Sequence, residues 1–591
     1  MNYVQRKRGK MKKVIIDSLK SYKWKILIQV TLITLNIYLL TIPAEIIGKI
    51  VDLLYDIPNN KQVILNYTYY LLGICLFLLI VRVSWKYYET YISRGFEKDL
   101  KDKLFERFQK IKTAKLQKIK NGEIMSYFVK DTNEIRSALY RILSHGTRII
   151  VTFVIVSITM IRGVNLKLTV ATLFPIIITA YIIVKLKNYV EKSFKKSQEQ
   201  FTLLSEYVQE STDSIRTTKA YSCEGEQLKD FIRKNRKLRS TNNEVDVYSN
   251  LLSTTLNICF GLCYGISLLY GSKLVLSNEI TIGAFVAFNG YIALFEGPVS
   301  WIPPLIARWK RAQISYKRLD KVFELEREKI SIKQRDNLEL LNGKIEIKGL
   351  TFNYSDCLTP ALSNISLKVE QGQTLGIIGT IGSGKTTLMN LITRLYNVER
   401  GRIFIDDKDI NDIPLEIIRN SICYITQDNF LFSTSLKNNI NLFRDEYEDE
   451  EIETSTKNAL IYEEISNMPK GINTVIGERG TDLSGGQKQR VVLSRAFLKQ
   501  SSIVILDDTF SALDNKTEEF LLQNIRKLTD KKTCIIISNR ISDVKHSDNI
   551  IVLDAGEIIE KGTHKQLLEQ KGKYYSFYKQ QSTKKEKSFL D

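Results

Sequence analysis

The stretch Thr374–Ile392, TLGIIGTIGSGKTTLMNLI, decides how the second half of this 591-residue chain is read. An apolar run, a glycine-rich turn and a second apolar run predict strand, loop and helix. In that setting Gly379, Gly384, Lys385 and Thr386 fit the spacing G-x-x-x-x-G-K-[ST]. The glycines let the backbone N–H groups of Gly379, Thr380, Ile381, Gly382, Ser383 and Gly384 converge on phosphate oxygens, at a helix N-terminus that favours anions. Lys385 is placed to reach the β- and γ-phosphates of ATP, the Thr386 hydroxyl to ligate Mg²⁺, and Thr387 follows in the same turn. Thr380 stands where side chains vary, because the backbone carries the binding.

A second apolar run, SSIVILDD, ends in two carboxylates, Asp507 and Asp508. Asp507 suits the Mg²⁺ shell, reached through water. From about Leu341 onward strands, glycine turns and short helices alternate, an α/β texture.

The first half reads differently. Five runs lack Asp, Glu, Lys and Arg: Ile26–Ala44, Val63–Val81, Leu168–Val184, Val247–Ser272 and Ile280–Phe295, the last resuming after Glu296. A shorter run, Ile149–Ile161, extends backward through ALYRILSHGTR. At about 20 apolar residues per crossing, these predict six membrane helices, near 26–47, 63–86, 138–161, 166–186, 247–272 and 280–307. The expected fold is a membrane all-α six-helix domain over 1–325, followed by an α/β P-loop nucleotide-binding domain over 340–580.

The chain carries 86 Lys and Arg against 65 Asp and Glu, a net charge of +21. With six spans present, that excess points to a membrane surface rather than nucleic acid. The basic N-terminus and the long Lys-rich segments at 89–137 and 186–246 are expected on the cytoplasmic side by the positive-inside rule. Met11–Lys25 mixes apolar and basic residues in the manner of an interfacial segment. The long segments read as helices that leave the membrane and return, reversing near QKIKNGEIMS and ESTDSIRTTKAY. Seven Cys without a CxxC pair disfavour a disulfide framework or zinc site. Ile/Lys/Asn-rich usage points to a bacterial source and hence a bacterial plasma membrane.

Between the two phosphate-site motifs lies DLSGGQKQR, Asp482–Arg490. This run resembles the signature of ATP-binding cassette (ABC) proteins, and the resemblance then covers nearly the whole chain. It implies that Tyr354 in FNYSD stacks on adenine, and that Gln427 in YITQDNFLF senses Mg²⁺. It further implies that Val475–Gly480 touches the intracellular helix ends and that Ser511–Asp514, SALD, crosses a dimer interface. GEIMSYFVKDTNEIR and QESTDSIRTTKAY resemble the two intracellular loops of the exporter (type IV) half-transporters. In that family two cassettes pack head to tail, so Leu483, Ser484, Gly485, Gly486 and Gln487 are expected on a partner's ATP.

Two positions depart from the family pattern. Asp508 stands where the family has the Glu that polarises the attacking water, and Asn539 stands where it has a switch His. A general base must come within about 2.6–3.2 Å of its water. One methylene fewer withdraws the carboxylate by about one bond length, and a misplacement of ~1 Å costs ~10²-fold. The chain has three His, at 145, 546 and 564, none at the switch position. The expectation is therefore a degenerate ATP site in one half of a heterodimer, whose partner supplies Glu and His. The substrate guess, hydrophobic or amphipathic compounds in multidrug efflux, rests on family analogy; lipid or small-peptide export and an ATP-gated regulatory protein are the alternatives. The lack of a peptidase-like module before the first span disfavours a peptide-processing exporter. Glu296, in LFEGPVSWIPPL, is the substrate-path candidate, expected to break the sixth helix beside Gly297 and Pro298.

Overall fold

The computed structural model describes residues 10–54, 57–328, 339–354, 359–530 and 532–588. It divides into two units, Met1–Gln109 with Ile119–Leu325, and Lys110–Lys118 with Glu326–Asp591. The division falls after Leu325, with one exception. The short segment Lys110–Lys118 belongs to the second unit. Ile111 forms a β-bridge with Arg327, the Glu328 amide donates to the Lys110 carbonyl at 2.8 Å, and the Tyr396 hydroxyl donates to Gln117. Backbone pairing outranks sequence neighbourhood here.

Among the described residues, the first unit holds six helices long and apolar enough to cross a membrane: Lys23–Leu53, Asn60–Gln109, Asn121–Gly163, Leu166–Asp213, Glu224–Leu276 and Ile282–Glu324. Helices of 48–53 residues extend about 70–80 Å at 1.5 Å per residue, more than twice the hydrocarbon thickness. They continue beyond the apolar runs, and reverse at 110–120 and 214–223, within or beside the expected stretches. The most apolar part of the second span is only 6 % buried, so its side chains face outward as lipid contact requires. The N-terminal segment forms a separate helix, Lys10–Ser21, ahead of the first span.

The expected break in the sixth helix is corrected. Helix runs unbroken through Glu296, Gly297 and Pro298 to Ser300, and the interruption falls at Trp301. Pro303 and Pro304 follow directly, and two missing N–H donors in succession remove two rungs of the ladder, whereas Pro298 alone removes one. Trp301 packs there against Arg148, whose guanidinium lies 4.7 Å from its ring, and against His145 at 4.6 Å. Glu296 itself is exposed.

The first and sixth spans touch backbone to backbone. A Cβ on Gly283 would overlap the Gly48 carbonyl and the Asp52 carboxylate, and one on Gly290 would crowd Ala44. Asp52 accepts from the Gly283 amide at 2.6 Å and the Thr281 hydroxyl at 2.8 Å, placing a negative charge at the positive end of the sixth helix. Gly283→Ala is expected to lower stability by about 1–3 kcal/mol through forced separation of the two helices. Gly73→Ala, with nothing within 4 Å, is the neutral control. Thermal unfolding of the two variants in detergent checks this.

The second unit carries two sheets. One is antiparallel, with strands β1 (Ile345–Phe352), β2 (Leu362–Val369), β4 (Ile403–Ile405) and β5 (Lys408–Asp409) in the order β2-β1-β4-β5. The other comprises β3 (Thr374–Gly379), β6 (Ile422–Ile425), β7 (Ile503–Asp507), β8 (Thr533–Ile537), β9 (Asn549–Asp554) and β10 (Glu557–Gly562). Its order is β10-β9-β3-β8-β7-β6, parallel except for β10. Every residue of β7 and β8 is buried, as expected of parallel strands covered on both faces. The consequence for function lies in the register. Ile377 pairs with Ile537, and Ile537 with Asp507, so the loops leaving β3, β8 and β7 emerge side by side at one sheet edge.

Candidate nucleotide-binding site

That edge forms a cleft of about 310 Å³ lined by Tyr354, Ile381, Gly382, Ser383, Gly384, Lys385, Thr386, Thr387, Gln427, Asp507, Asp508 and Asn539. All the phosphate-site residues read from the sequence meet here except Gly379 and Thr380, whose carbonyls accept from the Lys385 ammonium at 2.9 and 2.8 Å. Gly379 allows close packing: a Cβ would overlap the Leu553 carbonyl. Gly384 has φ +99° as it opens the helix Lys385–Ile392, a conformation side chains other than Gly rarely adopt.

The Thr386 hydroxyl donates to Asp507 at 3.0 Å, and the Tyr424 hydroxyl to the same oxygen at 3.2 Å. Burial pushes the Asp507 carboxyl up, with Asp508 adding to it and the two hydroxyls and Lys385 opposing. The charged form is thus the strained one, and a divalent cation beside Thr386 and Asp507 would relieve it. The donor set, a hydroxyl and a carboxylate beside a phosphate cradle, fits Mg²⁺. Burial likewise lowers Lys385 against the pull of Asp507 and Asp508. Tyr424 was missed in the sequence; its only signal is its place three residues before Gln427.

Asp508 adopts φ +51°, the left-handed region, and its amide donates to the Ile537 carbonyl at 2.9 Å. Its carboxylate receives the Gln427 amide at 3.4 Å. Tyr354 donates to or accepts from Thr387 at 3.1 Å, and stands edge-on to Phe352 and Tyr396 at 5.1 and 5.2 Å between ring centres.

The signature residues Leu483–Gln487 do not line this cleft. Ser484 caps the helix Gly485–Leu498 in a reciprocal box with Gln487, leaving that N-terminus exposed at Ser484 and Gly485. Gln489 ties the helix to the neighbouring loop: it donates to the Ser511 hydroxyl at 3.0 Å and accepts from the Ala512 amide at 3.1 Å. Ser511 in turn donates to the Asp508 carbonyl at 3.3 Å. Glu296 lies in the other unit and outside the cleft.

Behind the Asn539 loop, Arg540 ion-pairs with buried Glu518 at 2.7 Å and donates to the Ser511 carbonyl at 3.1 Å. Asp543 sits beside Glu518, accepting from Ser538 at 2.5 Å and Ser542 at 2.9 Å. Burial first, then Glu518, raises the Asp543 carboxyl to about 7. The unfolded chain therefore releases this proton at lower pH than the folded one, so stability falls as pH rises from about 4 to about 7. Asp543→Asn is expected to abolish that slope and to gain on the order of 1–3 kcal/mol above pH 7, where the two buried carboxylates otherwise repel. Urea unfolding of the purified chain at several pH values measures it.

The ABC transporter transmembrane region family matches residues 26–299, and the ABC transporter family matches 362–511. Over 581 residues, 97 % of this chain and 99 % of the relative, 31 % are identical to the multidrug resistance-like ATP-binding protein MdlA of Buchnera aphidicola subsp. Schizaphis graminum. The chain belongs to the ABC transporters. This ABC transporter is also 31 % identical, over 91 % of its length and 92 % of the relative, to the probable multidrug resistance ABC transporter ATP-binding/permease protein YheI of Bacillus subtilis. Its fold matches a bacterial Atm1-family ABC exporter with ATP bound, TM-score 0.80 at 22 % identity, covering 95 % and 98 % of the two chains. It is a membrane protein of exporter fold, with the six-helix region and one ATPase domain on a single polypeptide.

Proposed function

We propose that this ABC transporter is one half of a heterodimeric exporter in a bacterial plasma membrane. It grips ATP without turning it over quickly, and completes its partner's working site. The observation that carries this is the split within one cleft. The phosphate loop, Lys385 and the Thr386–Asp507 pair are in place for ATP and Mg²⁺, while Asp508 and Asn539 replace the base and the switch residue. Thr386 and Asp507 would hold Mg²⁺, which would supply charge neutralisation to the bound phosphates. Lys385 holds the phosphates, Tyr354 offers a ring to adenine, and Gln427 holds Asp508 by its amide. Ser484 and the N-terminus of its helix supply anion donors to the partner's nucleotide. The N-terminus and the ATPase domain face the cytoplasm, in keeping with the Lys-rich segments.

The cargo is a hydrophobic or amphipathic compound, a reading supported by the names of the relatives. Inverted vesicles containing the chain with its partner half-transporter are expected to accumulate such a compound only while ATP is hydrolysed. Equal ATPase rates for the chain alone and for the pair would count against the heterodimer. The second reading, an ATP-gated regulatory membrane protein, draws on the same slow site. It is favoured if the pair binds ATP and no accumulation occurs.

A further inference from the structure

The helix Lys573–Ser588 has no role in the site so far described, yet it reaches that site twice, once directly and once through Asp554. Tyr574, fully buried, anchors it, with His564 Nδ1 2.7 Å from its hydroxyl. The Lys573 ammonium pairs with Asp554, and the other oxygen of Asp554 accepts from the Thr380 hydroxyl of the phosphate loop at 3.1 Å. Eight residues on, about 12 Å along the helix, the Gln581 side chain reaches the loop after β8. Its Nε2 donates to the Asn539 carbonyl at 2.8 Å, and its Oε1 accepts from the Ile541 amide at 2.9 Å. One amide therefore satisfies two backbone groups that bracket Arg540, while Glu518 and the Ser511 carbonyl hold the Arg540 side chain. The Ser538 hydroxyl is fixed by Asp543 and accepts from the Arg540 amide at 3.0 Å.

We propose that the C-terminal helix is a positioning element of the nucleotide site: Gln581 fixes the loop that presents Asn539, and Lys573, through Asp554, fixes Thr380. Its consequence for ATP rests on the nucleotide reading above; the clamp itself does not. A loop held from both sides keeps Asn539 in one place, which suits a pocket that retains its ligand. Preorganisation of this kind raises affinity by removing the ordering cost at binding.

The test uses the full-length chain in lipid nanodiscs. Hydrogen exchange without nucleotide reads the clamp. In Gln581→Ala the Ile541 amide is expected to exchange about tenfold or more faster, with β9 unchanged, since only the local opening is affected. Equilibrium binding of radiolabelled ATP with Mg²⁺ is expected to weaken by about three- to tenfold, with the unfolding midpoint unchanged. Gln581→Glu keeps the acceptor for Ile541 but sets a carboxylate against the Asn539 carbonyl. It is expected to leave exchange slow while weakening ATP binding. Unchanged Ile541 exchange in Gln581→Ala overturns the clamp. A loosened loop with unaltered ATP affinity, or affinity that falls only in step with the midpoint, overturns the positioning role. Failure of the unaltered chain to bind ATP overturns the nucleotide reading, and the exchange result then judges the clamp alone.

Discussion

Asp508→Glu combined with Asn539→His is expected to raise ATP turnover at this chain's own site by about 10²-fold or more. The first change returns the missing methylene, so that a carboxylate reaches the water opposite the γ-phosphate. The second restores an imidazole at the end of β8. The two positions line one cleft, so neither change alone should recover the whole effect; groups acting as a unit are not additive. There is a cost. Residue 508 sits at φ +51°, and Asp tolerates that region better than Glu, a penalty of about 1 kcal/mol. A 10²-fold gain corresponds to about 2.7 kcal/mol of barrier, so the kinetic effect wins while the fold bears the loss. ATPase measured on full-length chain whose ATP affinity is verified checks this. No gain in the double variant would sink the reach explanation.

The second large effect concerns the assembled pair. Ser484→Arg is expected to cut ATPase of the heterodimer by about 10²-fold or more, comparable to removing a key electrostatic donor. Lys385→Met in the same chain should leave most of it. The asymmetry follows from which site each residue serves. Ser484 and its exposed helix N-terminus lie outside this chain's cleft, and in the proposed heterodimer they serve the partner's nucleotide. Lys385, held at the carbonyls of Gly379 and Thr380, belongs to this chain's own cleft, the slow site of the proposed pair. Arg at 484 also removes the N-cap, worth about 0.5–2 kcal/mol, so the folded fraction is measured alongside activity. Equal losses in the two variants would mean two equivalent sites and no division of labour.

Much of the site was legible before any fold was known. The phosphate loop, the two carboxylates at the end of β7 and the signature are short stretches whose chemistry depends on neighbours in sequence. Spans were legible for the same reason, since an apolar run of sufficient length has few other places to go. Features set by long-range packing are of another kind. Glu296 was expected at a helix break that instead falls at Trp301, because consecutive prolines outweigh a single one. Tyr424, Glu518, Asp543 and Gln581 carry no motif; each matters through a partner elsewhere in the chain, 83 residues away for Tyr424 and Asp507.

The amino-acid sequence by itself determined six apolar crossings, a glycine-bearing phosphate loop, and the presence of Asp508 and Asn539 where the family resemblance leads one to expect Glu and His. Each follows from local composition and covalent reach. Tertiary structure alone decided that β3, β8 and β7 lie adjacent with Ile377, Ile537 and Asp507 in register, that Lys110–Lys118 joins the ATPase unit, and that Gln581 grips the Asn539 loop. Periodicity tells a segment which face to bury, but not which remote backbone will meet it; strand register and packing settle that.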